Sequence, residues 1–68
     1  MKYTKYILKH ISGTYQINLA IDIEAFKRNV REGREILTIF DLDGSNQQPK
    51  PLTFLDECEI TIDFNENN

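Results

Sequence analysis

A change of hydrophobic period at Asp22 constrains the fold of this chain more than any other feature. Over residues 14–21 every second residue is large and apolar, which is the pattern of a strand with one buried face. Directly afterwards Ile23, Phe26 and Val30 fall at helical spacing, so that they share one side of a helix. The chain therefore combines strand and helix within one short stretch.

The local signals around this change are consistent with it. Asp22 can accept hydrogen bonds from the free amides of a first helical turn, and Gly33 can adopt the left-handed conformation that often ends a helix. We predict a helix over about residues 23–32. Upstream, Ser12 and Gly13 separate two strand-like segments, residues 3–11 and 14–21, which predicts a β-hairpin.

Two further strands are predicted after the helix. Residues 35–42 are rich in β-branched and aromatic side chains and end at an Asp-Gly pair. Residues 44–51 form a polar loop with two prolines, neither of which suits a central strand. Residues 52–64 alternate as one long strand, with a bulge or bend expected at Asp56, and residues 65–68 are expected to be a disordered tail.

The predicted order β-β-α-β-β indicates an α+β fold, a small antiparallel sheet with one helix packed on a face. The helix is expected to cover Ile17, Leu19, Ile39 and Ile60. The alternative is a partly open small β-barrel, since the first and last strands are long enough to bend. Residues 1–64 are expected to form a single domain.

Size and composition limit how such a domain is stabilised. A chain of 68 residues buries only about 60% of the surface it exposes when unfolded. One cysteine, Cys58, excludes an internal disulfide, and with His10 as the one histidine there is no zinc-ligand set. We therefore expect support from a partner protein or from homo-oligomerisation. No signal peptide or membrane span is indicated, so a cytoplasmic protein without a cofactor is expected.

Charge is distributed unevenly along the chain. Residues 1–34 carry seven basic and three acidic residues, whereas residues 35–68 carry one basic and eight acidic residues. Such a division can give a bipolar surface that steers a charged partner. The alternative is that the second and fourth predicted strands lie side by side, so that the charges interleave in space.

One run of residues, 36–45, resembles the opening motif of haloacid-dehalogenase-type phosphatases. An apolar strand delivers Asp41 and Asp43, followed by Gly44 and Ser45. The resemblance implies a nucleophilic Asp41 and a general acid at Asp43. Those enzymes also need a later lysine and a second acidic pair within a doubly wound domain, and the rest of this chain offers only Lys50, between two prolines. The sequence therefore predicts no enzyme.

Other chemistry is equally weakly indicated. The spacing of the acidic residues does not fit a calcium loop, so no metal site is predicted. Cys58 lies in an inward phase and is expected to be a small buried hydrophobe. His10 has no serine or cysteine in a recognisable nucleophile pair.

The sequence thus favours a small non-enzymatic interaction or regulatory protein. An acidic stripe is expected to occlude the basic groove of a partner protein, as a phage or mobile-element inhibitor would. Its predicted residues are Asp41, Asp43, Asp56, Glu57, Glu59 and Asp63. The alternative is a nucleic-acid-binding protein in which lysines neutralise phosphates and tyrosines stack on bases. The residues predicted for that platform are Lys2, Tyr3, Lys5, Tyr6 and Lys9.

Overall fold

A computed structural model describes residues 3–65 of the chain. They form an α+β fold, as predicted, with five strands and two helices. In chain order the elements are β1 (Thr4–His10), β2 (Gly13–Leu19), α1 (Ile23–Arg31), β3 (Thr38–Asp41), β4 (Gln48–Pro49), α2 (Thr53–Asp56) and β5 (Glu59–Asn65). Residues 66–68 of the predicted tail lie outside the described residues, and Asn65 ends β5.

The strands form one antiparallel sheet in the order β4-β3-β2-β1-β5. The first strand is therefore central, with β2 on one side and β5 on the other. Strands β2 and β3 pair over only two residue pairs, Tyr15 with Asp41 and Gln16 with Phe40. Both edge strands are described and they do not pair with each other, so the sheet is not closed and the barrel alternative is wrong.

Helix α1 begins where the change of period predicts. The Asp22 carboxylate accepts hydrogen bonds from the amides of Glu24 and Ala25, at 3.1 and 3.3 Å, and so satisfies two free donors of the first turn. The helix buries Phe26 and packs Ile23 and Val30 against the core. The predicted helix phase is confirmed.

The core lies on the sheet face that carries the even-numbered residues of β1 and the odd-numbered residues of β2. Its buried side chains are Leu8, Ile17, Leu19, Phe26, Leu37, Ile39, Phe54 and Leu55. Tyr6, Tyr15 and Ile60 are partly buried against this set. The opposite face carries mainly polar residues, among them Lys5, Lys9 and Glu59.

The last third of the chain differs from its prediction. The alternation over residues 52–64 predicted one strand, but Thr53–Asp56 form a short helix and the strand begins only at Glu59. Phe54 and Leu55 are both buried, which a strand with one buried face does not allow for adjacent residues. The polar loop also contains β4, whose Pro49 sits in an edge strand, where proline is tolerated.

Candidate functional site

The antiparallel order brings three distant segments to one end of the sheet. The turn between β1 and β2, the turn that follows β3, and the junction between α2 and β5 all lie there, because Tyr15 pairs with Leu8 and Asp41, and Leu8 also pairs with Ile60. Five carboxylates come from these segments. We call them the acidic end: Asp41, Asp43, Asp56, Glu57 and Glu59.

The acidic end is about three strand spacings wide, or roughly 14 Å from Asp41 to Glu59. Asp63, the sixth predicted residue, lies four residues further along β5 and is not part of it. Five of the six residues predicted from the sequence therefore lie at one end of the sheet. They are brought together by the order of the strands and do not form a continuous stripe along one strand.

Two apolar side chains are exposed at the same end. Ile11, in the turn between β1 and β2, is 99% exposed, and Leu42, just after β3, is 51% exposed. Single exposed apolar residues are ordinary on protein surfaces. Here, however, both lie at the same end of the sheet as the five carboxylates, next to two hydrogen-bonded turns.

The first of these turns is built around His10, and we call it the histidine turn: His10, Ser12, Tyr15 and the distant Glu57. The Ser12 amide donates to His10 Nδ1 at 3.0 Å, so Nδ1 is unprotonated and the ring proton lies on Nε2. Nε2 donates to Glu57 Oε1 at 2.7 Å. The Ser12 hydroxyl lies 2.9 Å from Nδ1 and 2.9 Å from the Tyr15 hydroxyl.

Helix α2 supports this turn through Phe54. The Phe54 ring stacks on the His10 imidazole with centroids 4.3 Å apart, and it meets the Tyr15 ring edge-on at 5.9 Å. Lys50 places its ammonium 5.3 Å from the centroid of the same ring. The His10 side chain is consequently only 11% exposed, although it lies beside a surface turn. No serine partner for His10 is recognisable in the sequence, and the fold places the Ser12 hydroxyl 2.9 Å from its Nδ1.

The second turn contains the phosphatase-like run, and we call it the aspartate turn: Asp41, Asp43, Gly44, Ser45 and Asn46. The Asp43 carboxylate accepts from the Ser45 amide at 2.9 Å and from the Ser45 hydroxyl at 2.6 Å. Asp41 accepts from the Asn46 side chain at 2.8 Å. Both carboxylates thus bond within their own turn.

Gln16 anchors the aspartate turn to β2. Its side-chain amide donates to the carbonyls of Asp41 and Leu42, at 3.0 and 2.9 Å, and only 6% of the residue is exposed. Sequence reasoning missed Gln16, because a polar residue in an alternating strand is normally read as facing solvent. The preceding strand pattern offers no signal that its amide is needed by carbonyls 25 and 26 residues away.

Two pKa shifts follow from this geometry. Hydrogen bonds from the Ser45 hydroxyl and amide stabilise the charged form of Asp43 and lower the pKa of its carboxyl. Burial raises the pKa of the Cys58 thiol, and the nearby Glu57 carboxylate adds to that rise. Cys58 also donates its thiol to the Phe54 carbonyl, at 3.2 Å, as expected of a partly buried structural cysteine.

The predicted nucleic-acid platform is divided by the sheet. Tyr6 lies on the core face and packs against the core, while Lys5 and Lys9 lie on the opposite face. Lys9 is directly opposite Glu59, and the Lys5 ammonium is 3.7 Å from Asp63. Tyr3 is partly buried, and Lys2 lies outside the described residues.

The pairs Lys9–Glu59 and Lys5–Asp63 show how the uneven charge of the chain is arranged in space. The strand beside the acidic last strand is the first, not the second, and the basic and acidic halves interleave along β1 and β5. These two strands therefore do not form a bipolar surface.

Among residues 3–65, no group of three or more histidine, cysteine, aspartate or glutamate side chains is arranged to hold a metal ion. None of the helices in that part of the chain has the length and apolar character required to cross a membrane. Comparisons with protein-family models, with curated proteins and with solved structures found no match to this chain.

Proposed function

We propose that this chain is a small non-enzymatic interaction protein that binds a basic surface of a partner protein through its acidic end. The proposal rests on the convergence of five carboxylates from three segments at the end of the sheet where Ile11 is fully exposed. Interfaces of this kind combine a desolvated apolar contact with a charged rim that steers the partner and selects it.

The charges at this end are not all neutralised within the chain. Asp56 and Glu59 make no side-chain hydrogen bond, and no ion pair within 4 Å, among the described residues. Lys9 is opposite Glu59, and Lys50 lies over Phe54, so two ammonium groups accompany five carboxylates. This surplus of negative charge favours binding to a cationic partner surface, such as the groove in which a nucleic-acid enzyme holds phosphates. A protein that occludes such a groove would act as an inhibitor, for example one of phage or mobile-element origin.

Hydrogen bonds hold the turn that carries Ile11 in one conformation. The histidine turn fixes the backbone of Ile11, because the side chains of His10 and Ser12 on either side are hydrogen-bonded to each other and His10 also bonds to Glu57. A contact residue whose backbone is already ordered loses less conformational entropy on binding. The turn therefore presents Ile11 at low entropic cost.

Affinity capture with matched charge variants tests the proposal. A partner retained by the parent protein should be released by salt and lost when Asp56→Asn and Glu59→Gln are combined, because both carboxylates are exposed. The control combines Glu24→Gln with Glu35→Gln, which also removes two carboxylates but lies toward the other end of the sheet. Retention that is equal in both variants would contradict the proposal, and retention of the parent on oligonucleotides at low salt would favour the nucleic-acid alternative.

Homo-oligomerisation, expected from the small size of the chain, remains a prediction. Extension of the sheet is an unfavourable route, because β4 is two residues long with a proline and β5 carries Glu59 and Asp63. Light scattering after size exclusion tests it, and a folded monomer at micromolar concentration would refute it.

A further inference from the structure

A cavity of about 400 Å³ opens between β2 and the segment that leads into β3, toward the end of the sheet away from the acidic end. From its walls we infer that it binds a small aromatic amine in the ammonium form. The inference is independent of the proposed function, because it concerns another part of the fold and a small molecule instead of a protein partner.

The cavity exists because β2 and β3 separate. The ladder between them ends at the pair of Gln16 and Phe40. If it continued in the same register, Asn18 would lie opposite Thr38, but these two residues line the cavity and do not pair. The opening is therefore a property of the backbone.

Strand β4 holds the far wall of the cavity in place. Thr38 pairs with Pro49 on that side, and the Lys50 amide donates to the Leu37 carbonyl at 2.9 Å. Leu37 is also buried in the core, at 1% exposure. The segment before β3 is thus tied to β4 and to the core, and it is not free to close onto β2.

Asn18 directs its backbone amide and carbonyl toward this opening. The two-residue turn of the hairpin makes His10 and Gly13 a hydrogen-bonded pair, so the odd-numbered residues of β2 bond to β1. The even-numbered residues therefore present their backbone groups to the side of β3. Asn18 lies beyond the end of that ladder, so its carbonyl can accept a hydrogen bond from a ligand.

Most of the cavity wall is apolar. Ile17 and Leu19 come from β2, Phe26 from α1, and Ile36 and Phe40 from β3 and the segment before it. Two phenylalanine rings suit an aromatic ligand, since rings pack favourably edge-on or offset. The volume falls within the range of roughly 300 to 1,000 Å³ that small-molecule sites occupy.

One carboxylate, that of Glu35, lies among these apolar walls. It accepts a hydrogen bond from the Asn29 side chain at 3.2 Å, and it makes no ion pair within 4 Å among residues 3–65. The adjacent Arg34 is paired with Glu32. The negative charge of Glu35 is therefore left for a cationic ligand.

The polar groups of the cavity fit an ammonium, which has three donors and no acceptor. The Glu35 carboxylate, the Asn18 carbonyl and the Thr38 hydroxyl are acceptors in its wall. Lys5, opposite Asn18 on β1, has its ammonium 3.7 Å from Asp63. An aromatic amine can thus place its ring on the apolar wall and its charge beside Glu35.

Three probes of the same shape test the class of ligand: phenethylammonium, phenethyl alcohol and phenylpropionate. The ammonium should bind the parent protein with a dissociation constant on the order of 1 mM, as expected for so small a ligand. The alcohol should bind about tenfold more weakly, and the carboxylate more weakly still. Titrations followed by amide NMR measure all three, and equal affinities for ammonium and alcohol would overturn the inference.

The same spectra locate the ligand, which matters because the acidic end also attracts cations. The largest shifts with phenethylammonium should fall on the amides of Asn18, Ile36 and Thr38. If the largest shifts fall instead on Ser12 and Ser45, the ammonium binds the acidic end and the assigned site is wrong.

Two matched variants separate the site from the net charge. Glu35→Gln can still accept from Asn29, and it should weaken binding of the ammonium about tenfold while leaving the alcohol unchanged. Glu59→Gln removes one exposed carboxylate at the acidic end and should leave both affinities unchanged. An equal loss of ammonium affinity in both variants would contradict the role of Glu35.

A third variant fills the cavity. Asn18 is exposed, so Asn18→Trp can be accommodated at the surface while its indole occupies the opening. Binding of both the ammonium and the alcohol should be lost. Undiminished binding in a variant that circular dichroism shows to be folded would refute the site; if the variant does not fold, the comparison of Glu35→Gln with Glu59→Gln decides.

Discussion

The two turns at the acidic end use similar residues in opposite ways. The aspartate turn closes on itself, with Asp43 bonded to Ser45 two residues away. The histidine turn reaches across the fold, since His10 bonds to Glu57 at a separation of 47 residues and stacks on Phe54. The turn that resembles a catalytic motif in sequence is thus a local structure, and the turn without a motif joins a hydroxyl, an imidazole and a carboxylate from distant segments.

This difference has energetic consequences. Disturbing the aspartate turn should affect its own loop, whereas disturbing the histidine turn should loosen the contact between the hairpin and α2. Substitutions in each turn and beneath them distinguish these two outcomes.

Replacing Phe54 by alanine should lower the free energy of unfolding by about 3 to 5 kcal/mol, the range for truncating a buried phenylalanine. Phe26→Ala, equally buried on α1, should cost a similar amount, and Lys27→Ala should cost little. Chemical denaturation measures these values. Equal midpoints for Phe26→Ala and Lys27→Ala would show that the helix phase is wrong.

Hydrogen exchange separates the two phenylalanine variants. Phe54→Ala removes the surface on which His10 stacks, so exchange of the Ser12 amide should accelerate beyond the change in global stability, while the Ser45 amide should not show this excess. In Phe26→Ala neither amide should show it. An equal excess at Ser12 and Ser45 would mean that the two turns are not separate units.

Glycine substitutions compare the backbones of the turns. Gly13 and Gly44 both have positive φ, +150° and +87°, so alanine should cost about 1 to 2 kcal/mol at each. A Cβ at Gly13 would also lie 3.1 Å from the Tyr15 hydroxyl, whereas one at Gly44 would meet nothing within 4 Å. In thermal unfolding, Gly13→Ala should therefore have a lower melting temperature than Gly44→Ala. Gly44→Val should also be destabilised, because a branched side chain disfavours this conformation.

Glu57→Gln should change the pKa of the Cys58 thiol. Burial is the main reason that the pKa of this thiol is raised, and the Glu57 charge is the second, so the variant should lower the pKa toward but not to its ordinary value. The rate of alkylation as a function of pH measures it. An unchanged pKa would show that Glu57 exerts no field at this distance, and the parallel variant Asp43→Asn should leave Cys58 unaffected.

The smallest effect is expected at Asp43. Its pKa is lowered in the folded state by Ser45, so the stabilisation is fully present above the pKa of an unfolded aspartate, about 4, and is lost as the pH falls through the folded value. Ser45→Ala should raise the pKa toward its ordinary value, as followed by the carboxyl carbon resonance. A pKa that does not move would refute the assigned cause.

Much of the fold could be predicted because its signals are local. The hairpin, the helix with its Asp22 cap and the buried Phe26 all follow from residues within a few positions of one another. Helix α2 could not, because Phe54 and Leu55 also fit an alternating strand, and only their burial against Leu8 and its neighbours favours a helical turn.

The candidate sites divide in the same way. The acidic residues are visible in the sequence, but their convergence depends on strand order, which sequence periodicity does not specify. The link from His10 to Glu57 is invisible to any local pattern, since it requires both the β1–β5 register and the short helix before β5.

The central position of β1 has a consequence for how the molecule is made. The hairpin of β1 and β2 can form as soon as residues 4–19 have left the ribosome, but β1 acquires its second neighbour only when β5 has been synthesised. Until then β1 is an unprotected strand edge on the nascent chain, exposed to other strands or to chaperones. The bond between His10 and Glu57 joins the hairpin to the segment directly before β5, so it forms only after most of the chain has been synthesised.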